Sequence, residues 1–217
     1  MDSPAEPLHF PDPRRARHDG LVAIGGDLSI QRLLLAYRSG IFPWSIAPIT
    51  WWSPDPRGVI DMDCIHISCS LARTLRQHRF EVTFDRAFRE VIEGCAQARR
   101  PDGATWISVE FMDAYTALYD AGYAHSVECW QDGKLAGGLY GVAVGGLFAG
   151  ESMFHFVDDA SKVAVVRLVE HLKTRGFSVF DTQMVTPITA SLGAIEISRA
   201  KYLNCLKAAV GLPCQFS

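Results

Sequence analysis

The sequence predicts an α+β protein built on a mixed, largely antiparallel sheet that is flanked by helices. Two apolar runs around Gly145-Gly146 predict a β-hairpin over residues 137–154, because glycine pairs readily adopt the positive φ angles of tight hairpin turns. Strand and helix patterns on both sides of that hairpin favour helices on both faces of one sheet. The chain has 217 residues, 48% hydrophobic and 21% charged, which suits a globular protein with room for a large and a small domain.

The N-terminal quarter predicts a small domain of its own. A helix over residues 30–39 follows Asp27 and Ser29, either of which can cap it. Residues 41–57 then hold three tryptophans and four prolines, a composition that predicts irregular, proline-stiffened loops. Such a stretch is typical of a domain boundary. The predicted domains are therefore a small N-terminal unit, residues 1–57, and a larger unit, residues 58–217.

The remaining elements follow from hydrophobic periodicity and from the residues that cap or end helices. Before the hairpin, the predicted strands lie at 58–66, 80–84 and 125–130. The predicted helices of that part run from Ser68 or Ser70 to about His78, from a cap at Asp85 to about Ala98, and from a cap at Ser108 to Gly122. After the hairpin follow a helix capped by Asp158 or Asp159 and ended by Gly176, a strand at 177–183, and a helix from Ser198. Three consecutive antiparallel strands thus lie in the middle of the chain.

Charge and cysteine usage argue against several classes of function. A formal net charge of −3 is unlike a protein that coats nucleic acid, because phosphate binding needs clustered Lys and Arg. No apolar run reaches the roughly 20 residues that span a bilayer, and the first residues lack a signal-peptide core. We therefore expect a cytoplasmic protein with no membrane partner. The six cysteines form no Cys-x-x-Cys pair and match no zinc module, so we expect no metal.

Polar residues at the ends of two predicted strands are candidates for chemistry. Glu151 is a lone acid among apolar neighbours, either a solvated strand end or a placed functional group. Asp181 and Gln183 share one face of their strand, where Asp181 can accept a hydrogen bond from the Gln183 amide and orient its carbonyl. Such a pair can hold a cation and receive a proton from an amine. The alternative is a hydrogen-bonded strand end.

Arginine and tryptophan residues give two weaker signals. Arg73, Arg76 and Arg79 recur at intervals of three residues and make one basic edge, which is either a solvated face or a binding surface. Trp44 follows a proline in a loop. It belongs either to a small core or to a flat wall on which a base can stack.

Ten short motifs run in order from about residue 10 to residue 206 and are specific only in combination. They are Gly25-Gly-Asp-Leu-Ser29, Gly40-Ile-Phe-Pro-Trp44, Trp51-Trp-Ser-Pro-Asp-Pro-Arg57, Thr105-Trp-Ile107, His125-Ser-Val-Glu128, Gly137-Gly-Leu-Tyr-Gly141, Gly150-Glu-Ser-Met-Phe154, Ala160-Ser-Lys162, Asp181-Thr-Gln183 and Ser191-Leu-Gly-Ala194. In this combination the chain resembles the leucyl/phenylalanyl-tRNA–protein transferase family. It departs from the family pattern at His155 and at residues 184–189, which replace a more polar segment.

The resemblance implies an activity and a fold. The family moves Leu or Phe, and less well Met, from aminoacyl-tRNA to the α-amino group of proteins that begin with Arg or Lys. The product carries an N-degron, which the bacterial degradation machinery reads. The implied fold is a small N-terminal domain beside an N-acetyltransferase-like (GNAT) domain. We therefore expect aminoacyl-tRNA and proteins with N-terminal Arg or Lys as partners, no cofactor, and a monomer.

The resemblance also implies site residues. In the family pattern Gln183 draws the proton from the attacking amine, Asp181 orients and polarises Gln183, and Glu151 helps to bind the basic acceptor. The residues implied around the 3′ adenosine are Tyr37, Trp44 and Trp106. Those implied in the pocket for the transferred side chain are Leu139, Phe148, Val165, Leu168, Leu172 and Phe180. The edge formed by Arg73, Arg76 and Arg79 becomes a candidate grip on the tRNA acceptor region.

Two other functions stay open alongside this one. A coenzyme-A-dependent N-acyltransferase of the same fold needs an Arg/Gln-x-x-Gly-x-Gly/Ala loop for the pyrophosphate, and none follows the strand at 135–144. A non-catalytic module that binds basic N-termini is the second alternative. Transfer from charged tRNA to a free amine would distinguish the enzyme from both.

Overall fold

The computed structural model of the protein describes residues 8–98 and 107–217. Within these ranges the strands are β1 (Leu21–Ile24), β2 (Phe42–Ile46), β3 (Ile49–Trp52), β4 (Arg57–Ile60), β5 (Glu81–Phe84), β6 (Ala124–Gln131), β7 (Lys134–Val144), β8 (Leu147–His155), β9 (Val179–Gln183) and β10 (Ala194–Ile197). They form a small sheet of order β1-β3-β2 and a large sheet of order β10-β4-β9-β8-β7-β6-β5. All paired neighbours are antiparallel except β8 and β9, which are parallel.

Helices cover both faces of the large sheet. They are α1 (Ile30–Arg38), α2 (Cys69–Arg76), α3 (Phe88–Gln97), α4 (Val109–Asp120), α5 (Ala160–Thr174), α6 (Pro187–Ser191) and α7 (Arg199–Ala209). Buried residues of α1, α3, α4 and α7 form one apolar cluster, and those of α2 and α5 form a second. Neighbouring residues of β7 alternate between them: Leu139 belongs to the second cluster and Tyr140 to the first. The predicted fold class, α+β with a mixed, largely antiparallel sheet between helices, is confirmed.

The small sheet is the main feature that the sequence analysis missed. Residues 41–57, predicted as irregular loops, contain β2, β3 and the start of β4, and β1 precedes the first helix. Each of these strands has only four or five residues, too few to show a clear alternation, and prolines at Pro43 and Pro48 interrupt the pattern. The predicted domain boundary falls just inside β4, which begins at Arg57. That boundary stays a prediction.

Most predicted helix caps are present, and two are wrong. Asp159 is the N-cap residue of α5, but its side chain makes no capping hydrogen bond and accepts one from Thr74 Oγ1 instead. Ser29, Ser68, Ser108 and Ser198 each accept the expected hydrogen bond at a helix N-terminus. Asp85 does not cap α3. Its carboxylate instead accepts hydrogen bonds from the Ser126 backbone N–H and from His125.

The N-cap residue of α3 is Ala87, which makes no side-chain cap, and the buried Glu128 holds the backbone that precedes the helix. Glu128 lies on β6 and accepts the backbone N–H groups of Arg86 and Ala87, which precede α3. A contact that comes from a strand some forty residues away cannot be predicted from local sequence, because local patterns identify only the residues beside a helix end.

Candidate active site

The candidate site lies where two central strands part. The parallel pairing of β8 and β9 covers only three residue pairs and ends at Ala149 and Asp181. A cavity of about 710 Å³ opens there, and a smaller one of about 130 Å³ adjoins it. The two cavities share lining residues, among them Glu151, Gln183 and Met184. Two of the three predicted catalytic residues therefore lie at the junction of both spaces.

A β-bulge aims the first of these residues. Tyr140 pairs with Ser152 while the next residue, Gly141, pairs with Gly150, so Glu151 has no partner on β7. The extra residue in a bulge bends its strand and redirects its side chain. The Glu151 carboxylate accepts hydrogen bonds from Tyr115 Oη at 2.9 Å and from Gln183 Nε2 at 2.9 Å.

A second tyrosine extends this network. Tyr37 Oη lies 2.6 Å from Tyr115 Oη, and both tyrosines are buried. The pKa of Glu151 is raised to about 7, chiefly by burial and to a smaller extent by the nearby charge of Asp181, although the tyrosine hydroxyls and Arg57 lower it. The carboxyl group thus titrates near neutral pH, where a small environmental change alters its charge.

The second acid, Asp181, is locked into a buried ion pair. Arg57 Nε lies 2.9 Å from Asp181 Oδ1 and Arg57 Nη2 lies 2.6 Å from Asp181 Oδ2, with each side chain 1% exposed. Tyr202 Oη donates to Oδ2 at 2.7 Å, and the Gly40 carbonyl accepts from Arg57 Nη1. Burial is the largest influence on the pKa of Arg57 and lowers it, but the charge and hydrogen bonds of Asp181 together with Tyr202 and Glu151 outweigh burial, so the pKa is raised. The charge of Asp181 is therefore compensated within the protein.

The hydrogen bond expected between Asp181 and the Gln183 side chain is absent from this arrangement. Asp181 Oδ1 accepts the backbone N–H of Gln183 at 2.8 Å instead, and the side-chain amide donates to Glu151. The cause is local backbone geometry, because Gln183 has φ of 58° and leaves the strand alternation on which that expectation rested. Nε2 of Gln183 is engaged with Glu151. The side-chain carbonyl oxygen of Gln183 is therefore the end of the amide that has no hydrogen-bond partner among the described residues.

The remaining predicted substrate residues divide into three groups. Leu139, Val165 and Phe180 line the large cavity, and Trp44 lines the small one, where it is 37% exposed. Trp106 lies outside the described residues. The residues that line neither cavity are fully or almost fully buried behind the walls: Tyr37, Phe148, Leu168 and Leu172. Those four side chains therefore do not reach the space that a ligand in either cavity would occupy.

The predicted arginine edge stands apart from the cavities. Arg73 and Arg76 are exposed on α2, and Arg79 is exposed beyond its end. The Arg79 guanidinium lies 5.5 Å from the centre of the Phe80 ring. None of the three lines either cavity.

Sequence reasoning missed three residues of the site: Arg57, Tyr115 and Tyr202. One signal for Arg57 was available, because an acid inside an apolar strand such as β9 needs a cationic or hydrogen-bonding partner. The identity of that partner depends on strand pairing and on the position of α7, which local sequence does not specify.

Fold and site together define a class of protein. An apolar cavity, an acid that titrates near neutral pH and an oriented amide suit the transfer of an apolar acyl group to an amine, which is the chemistry of a transferase. Two family models match the chain: "Leucyl/phenylalanyl-tRNA protein transferase" over residues 59–207 and the N-terminal domain of the same transferase over residues 26–55. The chain belongs to the leucyl/phenylalanyl-tRNA–protein transferase family.

Individual relatives agree with the family models. The leucyl/phenylalanyl-tRNA–protein transferase of Syntrophobacter fumaroxidans is 55% identical over 204 residues, which cover 93% of this chain and 87% of the relative. That of Aromatoleum aromaticum is 58% identical over 186 residues, covering 85% and 78%. Among solved structures, a ribosomal-protein-alanine N-acetyltransferase from Brucella melitensis gives a TM-score of 0.35 at 18% identity, covering 48% of this chain and 78% of that one. No helix in the described part of the chain is long and apolar enough to cross a membrane.

Proposed function

We propose that the protein moves Leu or Phe, and also Met, from aminoacyl-tRNA to the α-amino group of proteins that begin with Arg or Lys, which creates an N-degron. One observation carries the proposal: Glu151 lies at the junction of the two cavities, bonded to the amide of Gln183. Within the described residues no cation lies within salt-bridge distance of Glu151, whereas Asp181 has Arg57. Glu151 is therefore the acid that attracts the cationic acceptor.

The large cavity suits the transferred side chain. Leu139, Val165 and Phe180 give it apolar walls, and burial of a Leu or Phe side chain contributes about 1.5–3 kcal/mol. Such a cavity discriminates weakly, by about 1–3 kcal/mol per methylene, which fits the acceptance of more than one amino acid.

The small cavity suits the 3′ adenosine of the tRNA. Trp44 and Phe42 line it, and flat aromatic faces stack well on bases. We assign Trp44 to direct contact. Tyr37 is buried and acts through its hydrogen bond to Tyr115, which in turn holds Glu151. Trp106 keeps the adenosine-binding role that the family resemblance implies.

The reaction itself is an aminolysis of an ester. The acceptor nitrogen attacks the carbonyl carbon of the aminoacyl ester, the new C–N bond forms, and the ester C–O bond breaks. The Gln183 carbonyl oxygen accepts a hydrogen bond from the attacking amine, whose proton ends on the departing ribose hydroxyl. Asp181 holds the Gln183 backbone through Oδ1, so its contribution is to position the amide.

The surroundings of the site complete the proposal. We assign the exposed edge of Arg73, Arg76 and Arg79 to the phosphates of the tRNA acceptor region, because exposed guanidinium groups bind phosphate well. We further propose that the protein works as a cytoplasmic monomer without a metal or coenzyme.

The test uses purified protein, labelled Leu-tRNA and two peptides that start with Arg, one of them acetylated at its α-amino group. We expect label to enter only the free peptide, because the acetylated nitrogen no longer attacks. Transfer to neither peptide, with binding of both, would support a non-catalytic module. Acetylation of the free peptide in a parallel reaction with acetyl-coenzyme A, without transfer of leucine, would support the other alternative.

Gln183→Ala is the variant that tests the assignment within this experiment. We expect it to remove most transfer while aminoacyl-tRNA binding and the folded state persist. Asp181→Asn is a poorer choice, because it leaves Arg57 buried without its partner, at a cost of about 3–5 kcal/mol. Normal turnover by Gln183→Ala would show that the catalytic residue is assigned wrongly.

A further inference from the structure

Phe216 is a buried aromatic residue in the segment that follows the last helix. It is 3% exposed and belongs to the apolar cluster beneath α5. Its ring stacks on His125 with centroids 4.1 Å apart, and it lies 4.7 Å from His171 and 5.6 Å from Phe148. Phe216 therefore anchors the irregular segment that follows α7, because burial of a phenylalanine side chain contributes several times the thermal energy to stability.

Hydrogen bonds fix the backbone around this ring. His171 Nε2 lies 2.6 Å from the Phe216 carbonyl oxygen, and Ser217 Oγ donates to Asp85 Oδ2 at 3.3 Å. Asp85 also holds His125, whose Nδ1 lies 2.8 Å from Oδ2. The ring is therefore held in place from both sides and cannot withdraw without breaking these contacts.

Two aromatic rings, Phe148 and Phe180, lie between Phe216 and the large cavity. Phe148 stacks on Phe216 at an interplanar angle of 26° and meets Phe180 edge to face at 5.7 Å. Phe180 lines the cavity, and Phe148 is fully buried behind it. On its other side Phe148 has no free space, because a Cβ atom at Gly141 would lie 2.6 Å from its ring. Phe216 also contacts His125, His171, Phe84 and Phe177, and Phe148 is the neighbour through which a change of volume reaches Phe180 and the cavity.

We propose that Phe216 is a positioning residue that sets the size of the acyl side-chain cavity through Phe148 and Phe180. The inference rests on the proposed function, because it takes the large cavity to hold the transferred side chain. Protein interiors are close-packed, so a smaller residue at 216 leaves a space into which Phe148 relaxes. Phe180 then follows, and the cavity gains depth on that side. Phe216 consequently decides how strongly the protein prefers smaller over larger acyl groups without touching them.

The experiment compares the wild-type protein with Phe216→Leu and Phe216→Ala. The readout is the ratio of kcat/KM for Phe-tRNA to that for Leu-tRNA, with an Arg-starting peptide as acceptor. We expect this ratio to rise from wild type to Phe216→Leu and again to Phe216→Ala, where it should be about tenfold higher than in wild type. About tenfold is the lower end of the discrimination in kcat/KM that one methylene group changes. A loss of folded protein lowers both kcat/KM values together and leaves their ratio unchanged.

Leu118→Val is the matched control. Leu118 is fully buried on α4 in the other apolar cluster and lines neither cavity, so its truncation loosens the core without reaching Phe180. We expect an unchanged ratio. An equal shift in this control, or a constant ratio in Phe216→Leu, would overturn the inference; if Phe216→Ala does not fold, Phe216→Leu decides. Absence of transfer from either charged tRNA by the wild-type protein would instead overturn the proposed function.

Discussion

At the scale of single residues, some side chains of the site supply charge and others hold neighbouring groups in position. Asp181 and Arg57 neutralise each other in a buried, bidentate contact. Such a pair adds little net stability to the fold, but removing one partner alone destabilises the protein strongly. The pair instead fixes the Gln183 backbone, whose left-handed conformation is rarely adopted by residues with a side chain. Glu151 has no such cationic partner within salt-bridge distance among the described residues, and it is the acid that we propose for the cationic substrate. The two acids that look alike in the sequence thus have different tasks.

Glu151 makes acceptor binding depend on pH near neutrality. Because its pKa is about 7, the carboxyl group is mostly charged at pH 8 and mostly neutral at pH 6. We expect the Kd of an Arg-starting peptide to rise about tenfold from pH 8 to pH 6, measured by calorimetry without tRNA. Glu151→Gln is the control, because its Kd changes with pH only through titration of the peptide itself. If the Kd of wild type followed pH in parallel with that of the variant, the assignment of Glu151 would be contradicted.

The same residue predicts a stability effect of defined sign. A carboxyl group whose pKa is raised in the folded state binds more protons folded than unfolded, so stability falls as the pH rises from about 4.5 to about 7. After allowance for its partial exposure to solvent, this penalty at pH 8 is about 2 kcal/mol. Glu151→Gln should therefore be more stable than wild type at pH 8, with the gain vanishing near pH 4.5 in urea unfolding.

At the scale of elements, the sequence predicts what local pattern specifies. The hairpin around Gly145-Gly146 is present as β7 and β8, because glycine turn chemistry and apolar runs are local signals. The bulge at Glu151 and the early end of the β8–β9 pairing depend on register between distant strands. Those two features place Glu151 and Gln183 at the cavities, and neither the features nor the hydrogen bonds they create can be predicted from local sequence.

Short elements escaped prediction for a related reason. Strands β2 and β3 are stabilised by pairing with each other and by the burial of Trp51, whose Nε1 donates to the Gly25 carbonyl. Such contacts override local propensity. Helix α6 has five residues and begins with a proline after Thr186. It lines the cavity, yet five residues are too few for helical periodicity to show.

The pairing of β4 with β9 predicts the effect of one added methyl group. Gly58 faces Gln183 across this pair, and a Cβ atom there would lie 2.6 Å from the Met184 carbonyl carbon. Gly58→Ala should push the 183–185 backbone outward, destabilise the protein by about 1–3 kcal/mol, and lower kcat at least tenfold, because small misplacements of catalytic groups are costly. Single-turnover kinetics at saturating peptide measure this.

Gly211→Ala provides the matched control for that change. Gly211 is also a glycine outside the left-handed region, and a Cβ atom there meets only Ala208 O at 3.7 Å, an ordinary contact. We expect unaltered turnover in this variant. If Gly58→Ala turned over as fast as Gly211→Ala, the geometry of the Gln183 turn would not limit the reaction.

At the scale of the whole molecule, charge is arranged locally against a weakly acidic background. The net charge is −3, and the site presents an acid to its acceptor. The exposed edge of Arg73, Arg76 and Arg79 lies apart from both cavities. The proposed reaction has two substrates, a cationic acceptor and a polyanionic tRNA, and a single surface of one sign would repel one of the two.

This arrangement predicts how tRNA binding responds to salt. Arg76→Ala combined with Arg79→Ala should weaken Leu-tRNA binding and reduce the slope of log K against log salt by about 1–2, since each lost phosphate contact removes roughly one released counterion. The matched control is Arg14→Ala with Arg17→Ala, an equal loss of charge at two exposed arginines that already pair with Asp12 and Asp19. Filter-binding titrations from low to high salt measure both slopes. Equal slopes for the two double variants would mean that the edge contributes only general charge, and the tRNA would then have to contact another face.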